Sequence, residues 1–312
     1  MISTALARQR LMRTLLPALS LVLILLPIFY AQPRALSYFG LNLMLGLAVP
    51  IALATIAQMC IITVNDLDLS LGSYVSLIAC IAATWLHDNP PLGIAAILGC
   101  IGIYALLGAL IHLRNLPAIV VTLGMSFVWS GLAILLLPTP GGTAPVMLRS
   151  LMTLKPPLVP FPIIASVVIA VGVHFLLMRS SFGVVLRGVG GNARAVGRAG
   201  WSLLAAKSAM YALGGTFGAF AGLALIGLTT SADANIALRY TLLSVAGVIL
   251  GGGEFVGGRV SPIGAVLGAL TLTLAGSALT FFRISPDWQV GAQGAILILV
   301  LALRALINRR ES

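Results

Sequence analysis

Long apolar runs alternate with short polar breaks along this chain. A transmembrane helix needs about 20 apolar residues to cross a hydrocarbon core of about 30 Å, so this pattern predicts about ten spans. Their approximate positions are residues 15–31, 39–63, 69–86, 92–112, 118–137, 161–178, 205–228, 242–253, 262–282 and 289–303. The eighth run is too short to cross unaided. Because the runs are continuous rather than alternating, they predict helices, and the expected fold is an all-α polytopic membrane protein.

The composition points to the same class. Hydrophobic residues make up 60% of the 312 and charged residues only 8%, with a mean hydropathy of +1.11. A soluble domain has about a quarter charged residues. A soluble core of this length could not hide so much apolar surface, so the expected solvent is the lipid bilayer. We interpret residues 1–312 as a single transmembrane domain.

The basic residues fall between the apolar runs rather than on one face. The net charge of +11 therefore indicates membrane orientation and not nucleic-acid binding. With the N-terminus inside, the inner segments hold Arg8, Arg10, Arg13, Arg114, Arg179, Arg187, Arg194, Arg198, Lys207, Arg259, Arg304, Arg309 and Arg310, and the outer ones Arg34, Arg149, Lys155, Arg239 and Arg283. This bias predicts that both termini are cytoplasmic, with tails at 1–14 and 304–312. We interpret the first run as a retained helix and not a cleaved signal peptide.

The first conspicuous polar break reads Asn-Asp-Leu-Asp-Leu-Ser-Leu-Gly-Ser from Asn65 to Ser73, between two apolar runs. Charged side chains at membrane depth face protein, water or a partner. Asp66 and Asp68 could carry a cation or proton, act in a gate, or be solvated loop charges. For Asp68 we favour a capping role over substrate contact, because a carboxylate at Asp68–Ser70 can accept from free N–H groups where the next helix starts.

A glycine-rich break at Gly251–Arg259 echoes the first one. Leu242–Phe282 would repeat the pattern of Leu41–Leu86, and paired interrupted helices mark a transport pathway. The alternative is that such breaks are only tight turns. We predict two pseudo-repeated halves with interrupted helices. The candidate pathway or gate residues are Asp66, Asp68, Ser70, Gly72, Ser73, Thr122 and Glu254.

The sequence also contains two distinctive loops and lacks catalytic motifs. The inner segment 179–207 is basic and rich in glycine, whereas the outer segment 138–160 is rich in proline and should form an irregular cap. No phosphate-binding Gly-x-x-x-x-Gly-Lys motif occurs, and the three histidines lie near different helix ends without metal-ligand spacing. Neither an enzyme nor a metal site is expected.

Five segments, in order along the chain, match the motifs of one known family. They are Ile61–Ser73, Pro117–Gly124, Gly190-Gly191-Asn192 followed by Ala195 and Gly200, Val248–Gly258, and Ile284–Gln289. Together they resemble the permease subunit of ribose/xylose/arabinose-type monosaccharide ABC importers, over roughly residues 40–305. This chain departs from that family at Asn65-Asp66, where Gly-Gly is usual, and at Tyr240-Thr241-Leu242-Leu243, where Tyr-Glu-Leu-Asp is usual.

The resemblance implies a permease that passes a small sugar across the bacterial inner membrane. Such permeases pair with a second copy or a paralogue, bind cytoplasmic ATPase subunits and receive solute from a periplasmic binding protein. ATP with Mg²⁺ belongs to the partner subunits, so no cofactor is expected in this chain. Residues 179–207 would form the coupling element, with Gly190-Gly191-Asn192 starting a short helix. The implied coupling residues are Arg187, Gly190, Gly191, Asn192, Arg194, Ala195, Arg198 and Gly200.

Two other functions stay open. A secondary transporter could use Asp66 or Asp68 as its proton or sodium site and would need no ATPase. An ABC permease of the same fold could instead carry branched-chain amino acids or nucleosides.

Overall fold

The computed structural model describes residues 17–30 and 32–281, and residues 288, 291, 294, 295 and 298 beyond them. Its helices are α1 (Pro17–Tyr30), α2 (Tyr38–Met44), α3 (Ala48–Thr63), α4 (Leu71–Ala83), α5 (Trp85–Asp88), α6 (Pro90–Arg114), α7 (Ala118–Leu136), α8 (Val146–Met152), α9 (Phe161–His174), α10 (Ser181–Arg198), α11 (Leu203–Thr229), α12 (Tyr240–Leu250) and α13 (Pro262–Phe281). A 3-10 turn, Pro33–Leu36, precedes α2, and a π-helical turn, Phe175–Arg179, extends α9. Within the described residues the one extended pairing is an antiparallel bridge between Gly141 and Ala232. The all-α class is confirmed.

Several helices are long and apolar enough to cross a bilayer. Five qualify by length and composition, namely α6, α7, α9 with its π-helical turn, α11 and most of α13. The pair α2 and α3, bent by 42°, makes a sixth if it is counted as one span. The protein is therefore a multi-pass membrane protein.

The count of ten spans stays a prediction. α4 has 13 residues and α12 has 11, and both are shorter than a complete span. The third predicted span is split, because Thr84 leaves the helical conformation at ψ −88° between α4 and α5. The tenth predicted span lies mostly outside the described residues, as do the two predicted tails, so the placement of the termini also stays a prediction.

α3 and α4 form the centre of the bundle. Every residue of both helices is buried, as expected for helices that are apolar on all sides. α6 instead buries one stripe at helical spacing, which includes Ile97, Cys100, Tyr104, Leu107 and Ile111. Its opposite face is exposed, with Leu98 at 61% and Leu106 at 68%, and faces lipid.

Glycines let α11 lie directly against the central helices. Gly214 packs on Ala57 and Ile61 of α3, and Gly215 packs on the ring of Tyr104. Further along α11, Gly218 meets Tyr74 and Gly222 meets Ile78, both in α4. Small residues allow this close approach in lipid, where packing replaces the hydrophobic effect. The order of contacts also shows that α4 begins near the middle of α11 and runs with it.

The bundle has two distinct ends. At one end, which we call the α10 end, α10 packs against the last turn of α3, and Lys207 at the start of α11 reaches Asp66. At the other end, which we call the α8 end, Thr143 N donates to Ala83 O at 2.9 Å. Ala144 N donates there to Thr230 O, also at 2.9 Å.

Two spans consist of a non-helical segment followed by a short helix, and the two short helices run in opposite directions. After α3 the chain turns at Asn65, in the left-handed region at φ 63°, and passes through Asp66–Ser70 before α4 starts. After α11 it turns at Thr230, at φ 65°, and passes through residues 231–239 before α12 starts. α4 runs towards the α8 end and α12 towards the α10 end, so the two broken spans are inverted relative to each other.

The predicted partner of the first break was wrong. Gly251–Arg259 is a turn between α12 and α13, which pack side by side with Gly247 against Gly268 and Gly251 against Gly264. The structural counterpart of the first break is 231–239, a stretch without glycine. Residues 234–239 form successive hydrogen-bonded turns, and the apolar pattern gave no signal for them.

The two predicted loops contain more helix than expected. α10 begins at Ser181, where Ser180 Oγ accepts from Gly183 N at 2.9 Å, and continues to Arg198. It is interrupted at Asn192, at φ −157° and ψ 84°, whose Oδ1 accepts from Ala195 N at 3.0 Å. The expected short helix holding Ala195 therefore starts at Asn192. The outer segment 138–160 contains α8 within its irregular stretch.

Candidate functional site

The carboxylate of Asp68 is buried in the middle of the bundle and fully engaged. Its side chain is 1% exposed. Oδ1 accepts from Ser70 N and from Ser70 Oγ, each at 2.7 Å, and Oδ2 accepts from the Tyr104 hydroxyl at 2.7 Å. Charge-assisted bonds of this length are strong, and together they hold the first break. Asp68 accepts the N–H of Ser70, the N-cap residue of α4, and not an N–H group of the helix itself, so its capping role stays a prediction.

The backbone of Asp68 is held as firmly as its side chain. Gln58 lies opposite in α3 and is completely buried. In the orientation that satisfies both groups, its amide nitrogen donates to Asp68 O at 3.1 Å and its oxygen accepts from Asp68 N at 3.2 Å. This double contact replaces the pairing that the extended backbone of the break lacks.

Neighbouring segments accept hydrogen bonds from two further N–H groups, one just before α4 and one in its first turn. Leu69 N donates to Thr122 Oγ1 of α7 at 3.1 Å. Gly72 N donates to Thr241 Oγ1 of α12 at 2.9 Å. A Cβ on Gly72 would lie 2.6 Å from Ala237 O, so only glycine allows this approach. The start of α4 is thus fixed from two sides.

The two broken spans meet at their half-helices. Besides the contact from Gly72 to Thr241, Ala237 N donates to Ser76 Oγ at 3.0 Å. The first turns of α4 and α12 therefore lie side by side. Discontinuous helices that meet inside a bundle are the usual location of transporter binding sites.

A cavity of about 360 Å³ lies beside this junction. Arg239, directly before α12, and Leu243 line it from one side, and Thr229 lines it from the end of α11. Its other polar groups come from α13 and are Thr273, Ser277 and Thr280. The lining is mostly apolar, and among the described residues it includes four hydroxyl groups, one cation and no carboxylate. None of these residues was predicted, because they lie in four segments that are distant in sequence.

Three aromatic rings form one wall of the first break. The Tyr74 and Tyr104 ring centroids are 4.4 Å apart, and Trp129 stacks against Tyr104 at 6.1 Å with an interplanar angle of 4°. The Tyr74 hydroxyl donates to Gly215 O at 2.9 Å. Ser130, next to Trp129, donates to Ser73 Oγ at 2.9 Å and links α7 to α4. Through the Tyr104 hydroxyl this wall is joined to the Asp68 network.

Asp66 lies at the α10 end and not beside Asp68 in the network. Its Oδ2 is 2.8 Å from Lys207 Nζ and accepts from the Tyr211 hydroxyl at 2.9 Å. Both ion-pair side chains are largely buried, at 12% exposed for Asp66 and 15% for Lys207. Gly215, which contacts Tyr104, is about 12 Å further along α11 from Lys207, given a rise of 1.5 Å per residue. The two aspartates therefore occupy different depths.

Asn65 connects three segments at the α10 end. Its Nδ2 donates to Gly190 O of α10 at 2.8 Å, and its Oδ1 accepts from Gly257 N at 3.0 Å. Around this bridge the backbones approach closely, since a Cβ on Gly190 would overlap Thr63 O and one on Gly258 would overlap Arg187 O. The first break, α10 and the α12–α13 turn are thus one packed unit.

The predicted coupling residues divide into two groups. Arg187 and Gly190 face the bundle, and Arg187 Nε donates to Leu177 O at 3.1 Å, whereas Gly191 and Asn192 are exposed. Arg194, Ala195, Arg198 and Gly200 are exposed. Glu254 lies in the α12–α13 turn at the α10 end, where Oε2 is 3.4 Å from Arg259 Nη1, and not at the Asp68 network.

Sequence reasoning missed Gln58, Tyr104, Lys207 and Thr241, which hold the two breaks. Each is a polar residue within an apolar helix or at its end, and this polarity is the feature of the sequence that could have identified it. Within the described residues no group of three or more His, Cys, Asp or Glu side chains could hold a metal ion.

The fold and site define a class: a multi-pass transport permease whose broken spans meet inside the bundle. Residues 40–301 match the family described as the permease component of the branched-chain amino acid transport system, and the chain belongs to this family. It is similar to the galactose/methyl galactoside import permease protein MglC of Escherichia coli K12, with 28% identity over 93% of this chain and 94% of the relative.

Two further relatives are import or transport permeases. The autoinducer 2 import system permease protein LsrD of Enterobacter sp. strain 638 is 28% identical over 80% of each chain. The xylose transport system permease protein XylH of E. coli K12 is 30% identical over 49% of this chain and 39% of the relative. No solved structure matches this chain.

Proposed function

We propose that this chain is the transmembrane subunit of an ATP-driven importer that passes a small sugar across the bacterial inner membrane. The names of the galactose and xylose relatives support a sugar. The family description also allows branched-chain amino acids. A nucleoside permease of the same fold is the remaining alternative in this class.

The observation that carries the proposal is the cavity beside the junction of α4 and α12, whose lining includes four hydroxyl groups. Each hydroxyl donates its own proton to a backbone carbonyl, so its oxygen is left to accept a hydrogen bond from a hydroxyl group of a sugar. Its volume of about 360 Å³ lies in the range of small-molecule sites. A free amino acid carries an ammonium group, and no carboxylate among the described lining residues would balance it. The cavity therefore does not favour a solute with an ammonium group.

The partners follow from the same proposal. Two cytoplasmic ATPase subunits bind MgATP and contact the exposed part of α10 at Arg194, Ala195 and Arg198, and this chain holds no cofactor. A second permease, identical or a paralogue, completes the membrane unit, and a periplasmic binding protein delivers the solute. The basic residues of the α10 end support a cytoplasmic position for it.

Asn65 provides a route from α10 to the first break. When the ATPase subunits close, a displacement of α10 would act through Gly190 on Asn65, and through the backbone on Asp66 and Asp68. Such a transition needs two discrete packings of the bundle. In this mechanism Asp68 locks the break and Asp66 anchors α11, so neither is an ion-coupling site.

Transport assays distinguish the candidate functions. The permease, reconstituted in proteoliposomes with its ATPase and binding protein, should take up labelled galactose or xylose only with ATP. Leucine and uridine should not be taken up. Uptake driven by a proton or sodium gradient without ATP would identify a secondary transporter, and uptake of leucine or uridine in place of sugar would reject the sugar assignment.

A variant pair tests the coupling surface. Ala195→Glu places a charge on the exposed short helix of α10 and should abolish ATP-dependent uptake. Ser150→Glu places the same charge on exposed α8 at the other end and should leave uptake unchanged. Normal uptake by Ala195→Glu would reject α10 as the coupling element.

A further inference from the structure

A basic groove of about 850 Å³ opens at the α10 end, away from the Asp68 network. One wall is the end of α9 and its π-helical turn, with His174 and Arg179, and the first half of α10, with Arg187. The other wall is the α12–α13 turn, with Arg259 and Ser261. We propose that this groove binds the anionic headgroup of a phospholipid.

The groove has more positive than negative charge. Arg179, Arg187 and Arg259 line it, and no carboxylate of the described residues does so. Arg259 is paired with Glu254 at 3.4 Å, and that pair is exposed, with the arginine side chain at 60%. No ion pair involves Arg179 or Arg187 within the described part of the chain. A phosphate group would supply the missing anion, because guanidinium groups bind phosphate oxygens with charge-assisted hydrogen bonds.

Two features fix the arginines in place. Arg187 Nε donates to Leu177 O, which orients its guanidinium group along the groove. Arg179 ends the π-helical turn, a local distortion that often occurs at functional positions. Opposite them, Gly257 and Gly258 have positive φ and no side chains, so the floor stays open to a headgroup.

The surroundings favour a lipid over a soluble phosphate. Val184 lines the groove and is 57% exposed, and Phe175, next in the chain to the lining residue His174, is 60% exposed. Phe182 and Leu176, in the same two segments, are also exposed. Arg179 closes a candidate membrane span, so the cations lie where a span leaves the bilayer. A headgroup in the groove could keep its acyl chains along α9, and basic pockets of this kind recognise anionic lipids.

Native mass spectrometry can test the proposal in nanodiscs of phosphatidylcholine with or without phosphatidylglycerol. The wild-type chain should retain phosphatidylglycerol after release from the nanodisc. Arg179→Gln/Arg187→Gln should weaken that retention by about fivefold for each arginine removed. Arg179→Lys/Arg187→Lys keeps the charge and should retain most binding. The matched control, Arg149→Gln/Lys155→Gln, removes two exposed cations at the α8 end and should bind as wild type.

Three results would overturn the proposal. The first is equal phosphatidylglycerol retention by the wild type and the double glutamine variant. The second is displacement of the lipid by inorganic phosphate or glycerol phosphate, which would make the groove a site for soluble anions. The third is a double glutamine variant that keeps the lipid but loses the ATPase subunits in phosphatidylcholine, which would make the groove a protein-docking surface. None of these outcomes depends on the identity of the transported solute.

Discussion

Some buried tyrosine hydroxyl groups near the breaks have a hydrogen-bond partner and one does not. Tyr104 donates to the Asp68 carboxylate at 2.7 Å, and Tyr74 donates to Gly215 O at 2.9 Å. The hydroxyl of Tyr240, at the start of α12, is buried without a hydrogen-bond partner among the described residues. Removing one partner of a buried charged group costs more than removing an unpaired hydroxyl. Removing the hydroxyl group at Tyr104 and at Tyr240 therefore measures what the hydrogen bond contributes to stability, because the aromatic ring is kept at both positions.

Tyr104→Phe should destabilise the protein by about 1.5–3 kcal/mol, because it deprives a buried carboxylate of a hydrogen bond. Tyr240→Phe removes the same atom where it has no partner and should leave stability unchanged or slightly increased. The measurement is the free energy of unfolding of the purified protein in detergent. Equal losses in the two variants would contradict the proposed lock at Asp68.

At the scale of elements, two adjacent glycines in α10 have different surroundings. A Cβ on Gly190 would overlap Thr63 O and come 3.0 Å from Gly258, whereas a Cβ on Gly191 would have its nearest contact with Gly257 O at 3.5 Å. The first glycine is required by packing of α10 against α3. The second is exposed and free of close contacts.

Gly190→Ala should separate α10 from the end of α3 and abolish ATP-dependent uptake, with a loss of stability of about 1–3 kcal/mol from overpacking. Gly191→Ala adds the same methyl group in ordinary contact distance and should keep uptake and stability. Uptake in proteoliposomes and thermal unfolding check both variants. If Gly190→Ala transports normally, the close contact between α10 and the first break is not needed for function.

At the scale of the whole molecule, Asn65 joins the first break, α10 and the α12–α13 turn through a single amide. The chain offers a close control in Asn115, which ends α6 and is also in the left-handed region, at φ 49° against 63° for Asn65. Asn65 makes tertiary hydrogen bonds at 2.8 and 3.0 Å, whereas Asn115 is exposed. Glycine tolerates both backbone conformations, so the substitution removes only the side chain.

Asn65→Gly should uncouple the importer, with ATP hydrolysis by the partner subunits continuing while sugar uptake falls. The reason is that α10 loses its hydrogen-bonded link to the break. Asn115→Gly should preserve the ratio of sugar imported to ATP hydrolysed. That ratio, measured in proteoliposomes, is the readout, and an unchanged ratio in Asn65→Gly would exclude Asn65 as the connection.

The sequence predicted some elements well and others poorly. The apolar runs located α6, α7, α9 and α11 within a few residues, because a helix facing lipid must be apolar over its length. The first break was found because two carboxylates stand out in an apolar chain. The second break was assigned to Gly251–Arg259 instead of residues 231–239, since glycine is a common signal of turns and the turns at 234–239 contain none.

The residues of the candidate site were likewise predicted only in part. Asp68, Ser70, Gly72 and Thr122 were predicted individually and lie together around the start of α4. Their partners Gln58, Tyr104 and Thr241 come from three other helices and were not predicted. A buried hydrogen bond depends on which helix faces come together, and a sequence does not specify that directly.

The sequence by itself determined that the protein lies in lipid, that its fold is all-α and where the first break occurs. These features depend on the hydropathy of consecutive residues and on the free-energy cost of burying a charge, and both can be read from the sequence. Only the tertiary structure decided which break is the counterpart of the first, that Asp66 pairs with Lys207 while Asp68 is locked by Tyr104, and that three arginines line one groove. These features arise from glycine contacts between helices, which bring residues distant in sequence within hydrogen-bonding reach.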